Sequence, residues 1–102
     1  QKLIGDQGGI EVVLTAMKEH KTSAAVQEEG CWALKTLAAN NAENQKFIGD
    51  QGGIEVVLTA MKEHKTSAAV QEEGCLALTN LAVNAESQKL IGDQGGIEVV
   101  LT

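Results

Sequence analysis

The chain of 102 residues is long enough for one small domain, and its 43% hydrophobic and 22% charged residues are typical of a folded globular protein rather than a disordered one. The formal net charge of −6 argues against a nucleic-acid backbone as partner and mildly favours a basic partner, although solubility alone also accounts for the charge. No apolar run approaches the roughly 20 residues of a membrane span, and the first residues lack the layout of a signal peptide. We therefore expect no membrane partner and, for a natural protein, an intracellular location in the cytoplasm or nucleus.

The sequence is organised around an internal duplication. Residues 48–75 repeat residues 4–31 letter for letter, and Gly5, Gly49 and Gly92 mark starts that are 44 and then 43 residues apart. A fixed period of this size is typical of a helical solenoid, in which each unit buries its apolar face by stacking on the next copy. The predicted units cover approximately residues 1–41, 42–84 and, as a partial copy, 85–102.

Two long helices are predicted at equivalent places in the two copies, over residues 23–40 and 67–83. A threonine or serine at residues 66–67 can cap the start of the second one. Glycine inside a helix costs about 0.5–1 kcal/mol relative to alanine, so we expect Gly30 and Gly74 to allow a neighbouring helix to come close. One face of the first helix is predicted to face the core through Val26, Gly30, Ala33, Leu34, Leu37 and Ala38.

The second copy contains two further helices before its long one. A short helix over residues 42–52 ends at Gly52 and Gly53, which supply the unhindered backbone that a helix C-terminus and a sharp turn need. The next helix spans residues 53–64, because apolar residues recur there at spacings of three, four and seven. This apolar stripe consists of Ile54, Val57, Leu58 and Met61.

Reactive side chains are sparse and isolated. In a stacked array, Cys31 and Cys75 would lie about 10 Å apart, too far for a disulfide, and each is expected to be a small buried apolar residue. His20 and His64 are predicted at helix ends, where positive charge is favourable, and neither has a second ligand at metal-binding spacing. Because no serine or cysteine has a base fixed beside it, we expect no enzyme, no cofactor and no metal site.

A three-helix unit of about 43 residues, with a Gly-Gly break between its first two helices and a third helix reading QEEGCWALKTLA, closely resembles the armadillo repeat. The resemblance covers the whole chain. It implies an all-α, right-handed solenoid with two full repeats and partial repeats at the ends. It also implies that the third helices line a concave groove that binds extended peptides or partner proteins.

The resemblance also suggests which residues would line such a groove. In peptide-binding members, a tryptophan and an asparagine one turn later on the third helix contact the peptide. Here the first copy has Trp32 followed by Thr36, and the second has Leu76 followed by Asn80, so neither copy keeps the pair. By helical spacing, the groove stripe consists of Ala25, Glu29, Trp32 and Thr36 in the first copy and of Ala69, Glu73, Leu76 and Asn80 in the second.

Two interpretations of this stripe remain open. In one, Glu29 and Glu73 attract a basic peptide, Trp32 offers an aromatic platform for a cation, and Asn80 bonds a peptide main chain. In the other, Trp32 and Leu76 pack between the repeats and the glutamates are ordinary solvated charges. An extended ligand needs several ordered contacts to offset the cost of immobilising it, which favours the second interpretation.

The ends of the sequence suggest a different interaction. Residues 1–15 and 88–102 are identical, so the chain starts and stops inside a repeat without a polar cap. Open solenoid ends expose apolar side chains, and two such ends can satisfy one another between chains, either in a closed dimer or in a head-to-tail stack. The candidate residues for self-association are Leu3, Ile4, Ile97, Val100 and Leu101.

The sequence therefore favours a non-enzymatic scaffold that binds copies of itself, with a groove for a basic extended peptide as the alternative. The identity of the copies leaves its origin open between an engineered or consensus sequence, an excerpt of a longer array and a recent natural duplication.

Overall fold

The computed structural model describes residues 5–82, which form five α-helices and no β-strand. The first copy of the duplicated sequence contributes α1 and α2, and the second contributes α3, α4 and α5. The all-helical prediction is confirmed for this part of the chain, whereas the predicted partial unit at residues 85–102 lies outside it. The helices are α1 (Asp6–Glu19), α2 (Ala24–Ala38), α3 (Ala42–Asp50), α4 (Gly53–Glu63) and α5 (Ala68–Leu81).

Short polar side chains start three of the helices. The hydroxyl oxygens of Ser23 and Ser67 each accept a hydrogen bond of 3.2 Å from the backbone N–H three residues later, at the starts of α2 and α5. Asn41 does the same for α3, because its side-chain oxygen accepts from the backbone N–H of Asn44 at 2.9 Å. The prediction that a residue at 66–67 caps the long helix of the second copy is thus confirmed for Ser67.

The identical GDQGG stretches behave differently in the two copies. In the second copy Gly52 has φ of +79°, a left-handed conformation that favours glycine, and the chain turns there from α3 into α4. In the first copy the helix begins after Gly5 and continues through both later glycines. In the second copy α3 precedes this stretch, whereas in the first copy no described helix precedes it.

Equivalent helices of the two copies lie against each other. The most extensive contact in the described part joins α2 to α5, and α1 also contacts α4. Within each copy, α1 packs on α2 and α4 packs on α5. The predicted apolar stripe of α4 is confirmed, since all four of its side chains are at most 2% exposed. The largest fully buried side chains include Ile10, Met17, Leu34, Ile48, Ile54, Met61 and Leu81.

Gly30 and Gly74 mark close helix crossings, as predicted. A β-carbon on Gly30 would lie 2.5 Å from Cγ and Sδ of Met17, and one on Gly74 would lie 2.6 Å from Sδ of Met61. Both distances are well inside van der Waals contact. In each copy, therefore, the glycine of the long helix lies directly against the methionine of the preceding helix.

Two glutamines that were not predicted to matter each join two consecutive helices, α1 to α2 and α4 to α5. Gln27 is only 2% exposed, and its Nε2 donates hydrogen bonds of 3.1 and 2.9 Å to the backbone carbonyls of Met17 and His20. Gln71 repeats these bonds in the second copy, to Met61 at 2.9 Å and His64 at 3.0 Å. The carbonyls at the end of α1 and α4 lack helical partners, so the glutamines satisfy them. Both histidines lie at helix C-termini, as predicted.

Candidate functional site

The structure brings three of the six predicted groove residues to one concave depression. This depression has a volume of about 440 Å³ and is lined by Glu28, Glu29, Trp32, Ala33 and Glu73. Thr36, Leu76 and Asn80 are not part of its lining. The depression lies where α2 meets α5, and three of its five lining residues are acidic.

Two large apolar side chains of the stripe are exposed to solvent. Trp32 is 53% exposed and Leu76 is 42% exposed. The interpretation that they pack between the two copies is therefore wrong. The contact between α2 and α5 is filled by smaller aliphatic residues instead, such as Val70 and Ala77 at 0% exposure, which leaves the larger side chains on the surface beside it.

Glu73 and Asn80 are engaged in holding the two copies together. Lys35 Nζ lies 3.0 Å from Glu73 Oε1, with both side chains about one-fifth exposed. Asn80 Nδ2 donates a hydrogen bond of 2.9 Å to the backbone carbonyl of Lys35. Asn80 does bond a main chain, but it is the main chain of α2. Thr36, at the position equivalent to Asn80, instead donates to the carbonyl of Trp32 within its own helix at 2.9 Å.

Lys35 is not among the residues predicted for the site, although a comparison of the two copies points to it. The duplicated stretches are identical up to Cys31 and Cys75, and the differences then begin inside the long helix. Lys35 is replaced by Thr79, and Thr36 by Asn80. Lys35 and Asn80 make contacts between the copies that their counterparts do not make. Two of the positions where the repeats diverge, Lys35/Thr79 and Thr36/Asn80, thus distinguish one side of the junction from the other.

The duplication also reveals a second surface, because the same residue can be compared in two surroundings. Five apolar residues of α4 and α5 that are at most 2% exposed have identical counterparts in α1 and α2 that are only half-buried. In the second copy, α4 and α5 pack against α1 and α2. In the first copy the five counterparts stay half-buried, although Val13 and Leu37 are partly packed against the core. The buried set is Val57, Ala60, Val70, Ala77 and Leu81. We call their counterparts Val13, Ala16, Val26, Ala33 and Leu37 the open face.

The open face corrects the predicted core face of α2. Gly30, Leu34 and Ala38 are buried as predicted. Val26 and Ala33 are only half-buried, and Leu37, also half-buried, does pack against the core. The helical period places all six on one broad side of the helix, and it cannot tell which of them is covered by the same copy and which by a neighbouring one. Val12, beside the open face, is 59% exposed.

The cysteines differ in accessibility. Cys31 is fully buried, and burial, together with the nearby Glu73 carboxylate, raises the pKa of its thiol to about 12. A thiol of this kind is a poor nucleophile. Cys75 is half-buried, so the prediction of a buried apolar residue holds fully only for Cys31. Both thiols are free.

Two further features are absent from the described residues. Within residues 5–82, no group of three His, Cys, Asp or Glu side chains could hold a metal ion. None of the five helices is long and apolar enough to cross a membrane. The self-association candidates Leu3, Ile4, Ile97, Val100 and Leu101 lie outside the described residues.

Comparisons with known proteins give one short similarity. No protein-family model matches the chain, and no solved structure matches it. A stretch of 44 residues is 43% identical to Protein aardvark of Dictyostelium discoideum. The match covers 43% of this chain and 6% of that protein, so the chain corresponds to a small part of that relative. A match of this extent shows no family membership.

Proposed function

We propose that the chain is a non-enzymatic interaction module, built as a right-handed armadillo-like solenoid, that associates with copies of itself by stacking repeat on repeat. The observation that carries this proposal is the open face. Its five residues are identical in type to five that are buried in the second copy by the preceding copy. Burying them would remove apolar surface from water, at roughly 25 cal/mol per Å².

The solenoid architecture is supported by the arrangement of the helices. The second copy has the three-helix order of the repeat that it resembles, and α1 and α2 lie against the equivalent helices α4 and α5. A further copy added to the open face would continue the same contacts. Head-to-tail addition of this kind is a heterologous contact, which either closes into a ring or propagates.

Light scattering behind size-exclusion chromatography, at several loading concentrations, tests self-association. We expect the mass to rise above the 10.7 kDa of one chain as concentration rises. Ala33→Glu places a charge on the open face at a half-buried position and should return the mass to that of a monomer. Thr59→Glu adds the same charge at an exposed position of α4 and should leave association unchanged. A constant monomer mass at all concentrations would overturn the proposal.

A second function, binding of a basic extended peptide, is favoured by the acidic depression beside Trp32. Glu28 and Glu29 are exposed there, next to an aromatic ring that can accept a cation on its face. The ring already has one cation nearby, since Lys35 Nζ lies 6.0 Å from its centroid. Glu73 and Asn80 are committed to Lys35, so the peptide would depend on Glu28, Glu29 and Trp32.

The single tryptophan makes the peptide function easy to test. Titration with an arginine-rich peptide should shift the emission of Trp32, and the shift should weaken with added salt and in Glu29→Gln. Ala33 belongs both to the depression and to the open face, so bound peptide should also lower the mass of the assembly. An emission change that follows protein concentration and ignores the peptide would argue for self-association alone.

A further inference from the structure

The contact between α2 and α5 defines what a second chain would have to present to the open face. On α5, the side facing α2 carries Val70, Glu73, Ala77, Asn80 and Leu81, which are the most covered apolar residues of that helix and the two polar residues that bond Lys35. On α2 the equivalent positions carry Val26, Glu29, Ala33, Thr36 and Leu37. Four of the five residues are the same. The α2 part of the open face therefore nearly matches the surface through which α5 contacts α2.

The receiving side of the contact is found from the opposite difference in burial. Gln27 and Cys31 are buried, whereas their counterparts Gln71 and Cys75 are half-buried. Lys35 is half-buried, and its counterpart Thr79 is exposed. The side of α2 that receives α5 therefore has a counterpart on α5. Gln71 and Cys75 are the same as Gln27 and Cys31, and only Thr79 differs, from Lys35.

We infer that the occupant of the open face is the Cys75 and Thr79 side of α5 from a second copy of this chain, docked in the register that α2 and α5 already adopt. This inference rests on the proposed self-association and gives it a partner surface, a direction and a register. A second copy is the expected occupant because each chain carries both surfaces twice, once in contact with each other and once unpaired among the described helices.

The same register limits the strength of the contact between chains. Within the chain, Lys35 pairs with Glu73 and its carbonyl accepts from Asn80. Between chains, Thr79 would face Glu29, and Thr36 would face the carbonyl of Thr79. Threonine carries no charge to pair with Glu29, and the hydroxyl of Thr36 is shorter than the amide of Asn80. The apolar part of the junction is retained and both polar bonds are lost, so stacking between chains is reversible and weaker than stacking within one.

The double substitution Thr36→Asn with Thr79→Lys restores both bonds between chains, and each new residue already occupies the equivalent position in the other copy. We expect the dissociation constant for self-association, measured by sedimentation velocity over a concentration series, to fall by about tenfold. Adding Glu29→Gln should remove most of the gain. Thr36→Asn with Thr59→Lys has the same composition and net charge, and it should gain far less, since residue 59 is on α4.

The outcomes separate the two claims. If the wild type associates and the double substitution does not tighten it, the register is wrong and the proposed self-association stands. If the wild type is monomeric and the double substitution produces assembly that Glu29→Gln abolishes, the surfaces fit in this register, but the native contact is too weak to form and the proposed self-association is overturned. If neither protein associates, the open face has another occupant, and both the register and the proposed function are overturned.

Discussion

Met17 on α1 and Gly30 on α2 approach so closely that no β-carbon fits between the two helices. A methyl group on Gly30 would lie 2.5 Å from Cγ and Sδ of Met17, a side chain that is itself 1% exposed and cannot move away freely. Alanine favours a helix over glycine by about 1 kcal/mol, but overpacking a filled core costs about 1–3 kcal/mol. The two effects oppose each other, and the clash is the larger.

We therefore predict that Gly30→Ala lowers the free energy of unfolding by up to about 2 kcal/mol, measured by urea denaturation followed by circular dichroism. Gly74→Ala should behave similarly, because its contact with Met61 is almost the same. Gly5→Ser is the control, since nothing lies within 4 Å of a β-carbon there and serine is a good N-cap residue. A stabilising Gly30→Ala would show that the helices separate at little cost.

Gln27 and Gln71 make the same hydrogen bonds at a buried and at a half-buried site, so the contribution of these bonds to stability can be compared between the two. Each side chain donates to two carbonyls at the end of the preceding helix, but Gln27 is buried and Gln71 is half-buried. Methionine fills a similar volume and cannot donate. We predict that Gln27→Met lowers the free energy of unfolding by about 2 kcal/mol, and that Gln71→Met costs less because water can reach its carbonyls. Equal losses in the two urea titrations would rule out burial as the deciding factor.

The elements of this fold that sequence reasoning predicted well are those with local causes. Ser67 caps its helix, the stripe of α4 repeats with the helical period, and Gly30 has no other reason to be in a helix. The role of Gln27 was missed because it bonds carbonyls ten and seven residues away in the bend, and no local pattern encodes that geometry. The pairing of Lys35 with Glu73 joins residues 38 positions apart in different copies, so no pattern within one copy indicates it.

The candidate site was predictable to a similar extent. Helical spacing correctly put Glu29 and Trp32 on one stripe, and both line the depression with Glu73. It could not show that Asn80 donates its hydrogen bond to α2, because that bond depends on how two helices pack and not on the spacing of residues along one helix. The open face was also hidden from the sequence, since identical letters differ in burial only through their neighbours.

Lys35 offers a direct test of the polar contact between the copies. Replacing it by methionine keeps the aliphatic stem and removes the ion pair with Glu73, whose side chain is 21% exposed. We predict that Lys35→Met lowers the free energy of unfolding by about 1 kcal/mol, and that added salt reduces the difference. Lys46→Met is the matched control, because its ion pair with Asp50 is far more exposed, at 68% and 56%, and should contribute little. If both substitutions cost the same, the pair across the junction has no special role.

The thiols predict a pattern of chemical modification. Cys75→Ala leaves Cys31 as the only thiol, and this variant should react with iodoacetamide at neutral pH only as fast as the protein unfolds. Cys31→Ala leaves the half-buried Cys75, which should react faster under the same conditions because reagent can reach it. Mass spectrometry of timed samples measures both rates. Rapid alkylation of Cys31 in the folded protein would mean that the contact between α2 and α5 opens readily.

The raised pKa of Cys31 also predicts how stability depends on pH. The folded state holds the thiol proton up to a pKa of about 12, whereas the ordinary value is 9.0, because burial and then Glu73 disfavour the thiolate. The contribution of this thiol to stability is therefore fully present below pH 9.0 and is lost progressively as the pH rises from there towards 12. We predict that the free energy of unfolding falls less steeply over this window in Cys31→Ala than in the wild type, by up to one proton in the slope. Parallel slopes in the two pH series would show that Cys31 ionises as easily in the folded chain as in the unfolded one.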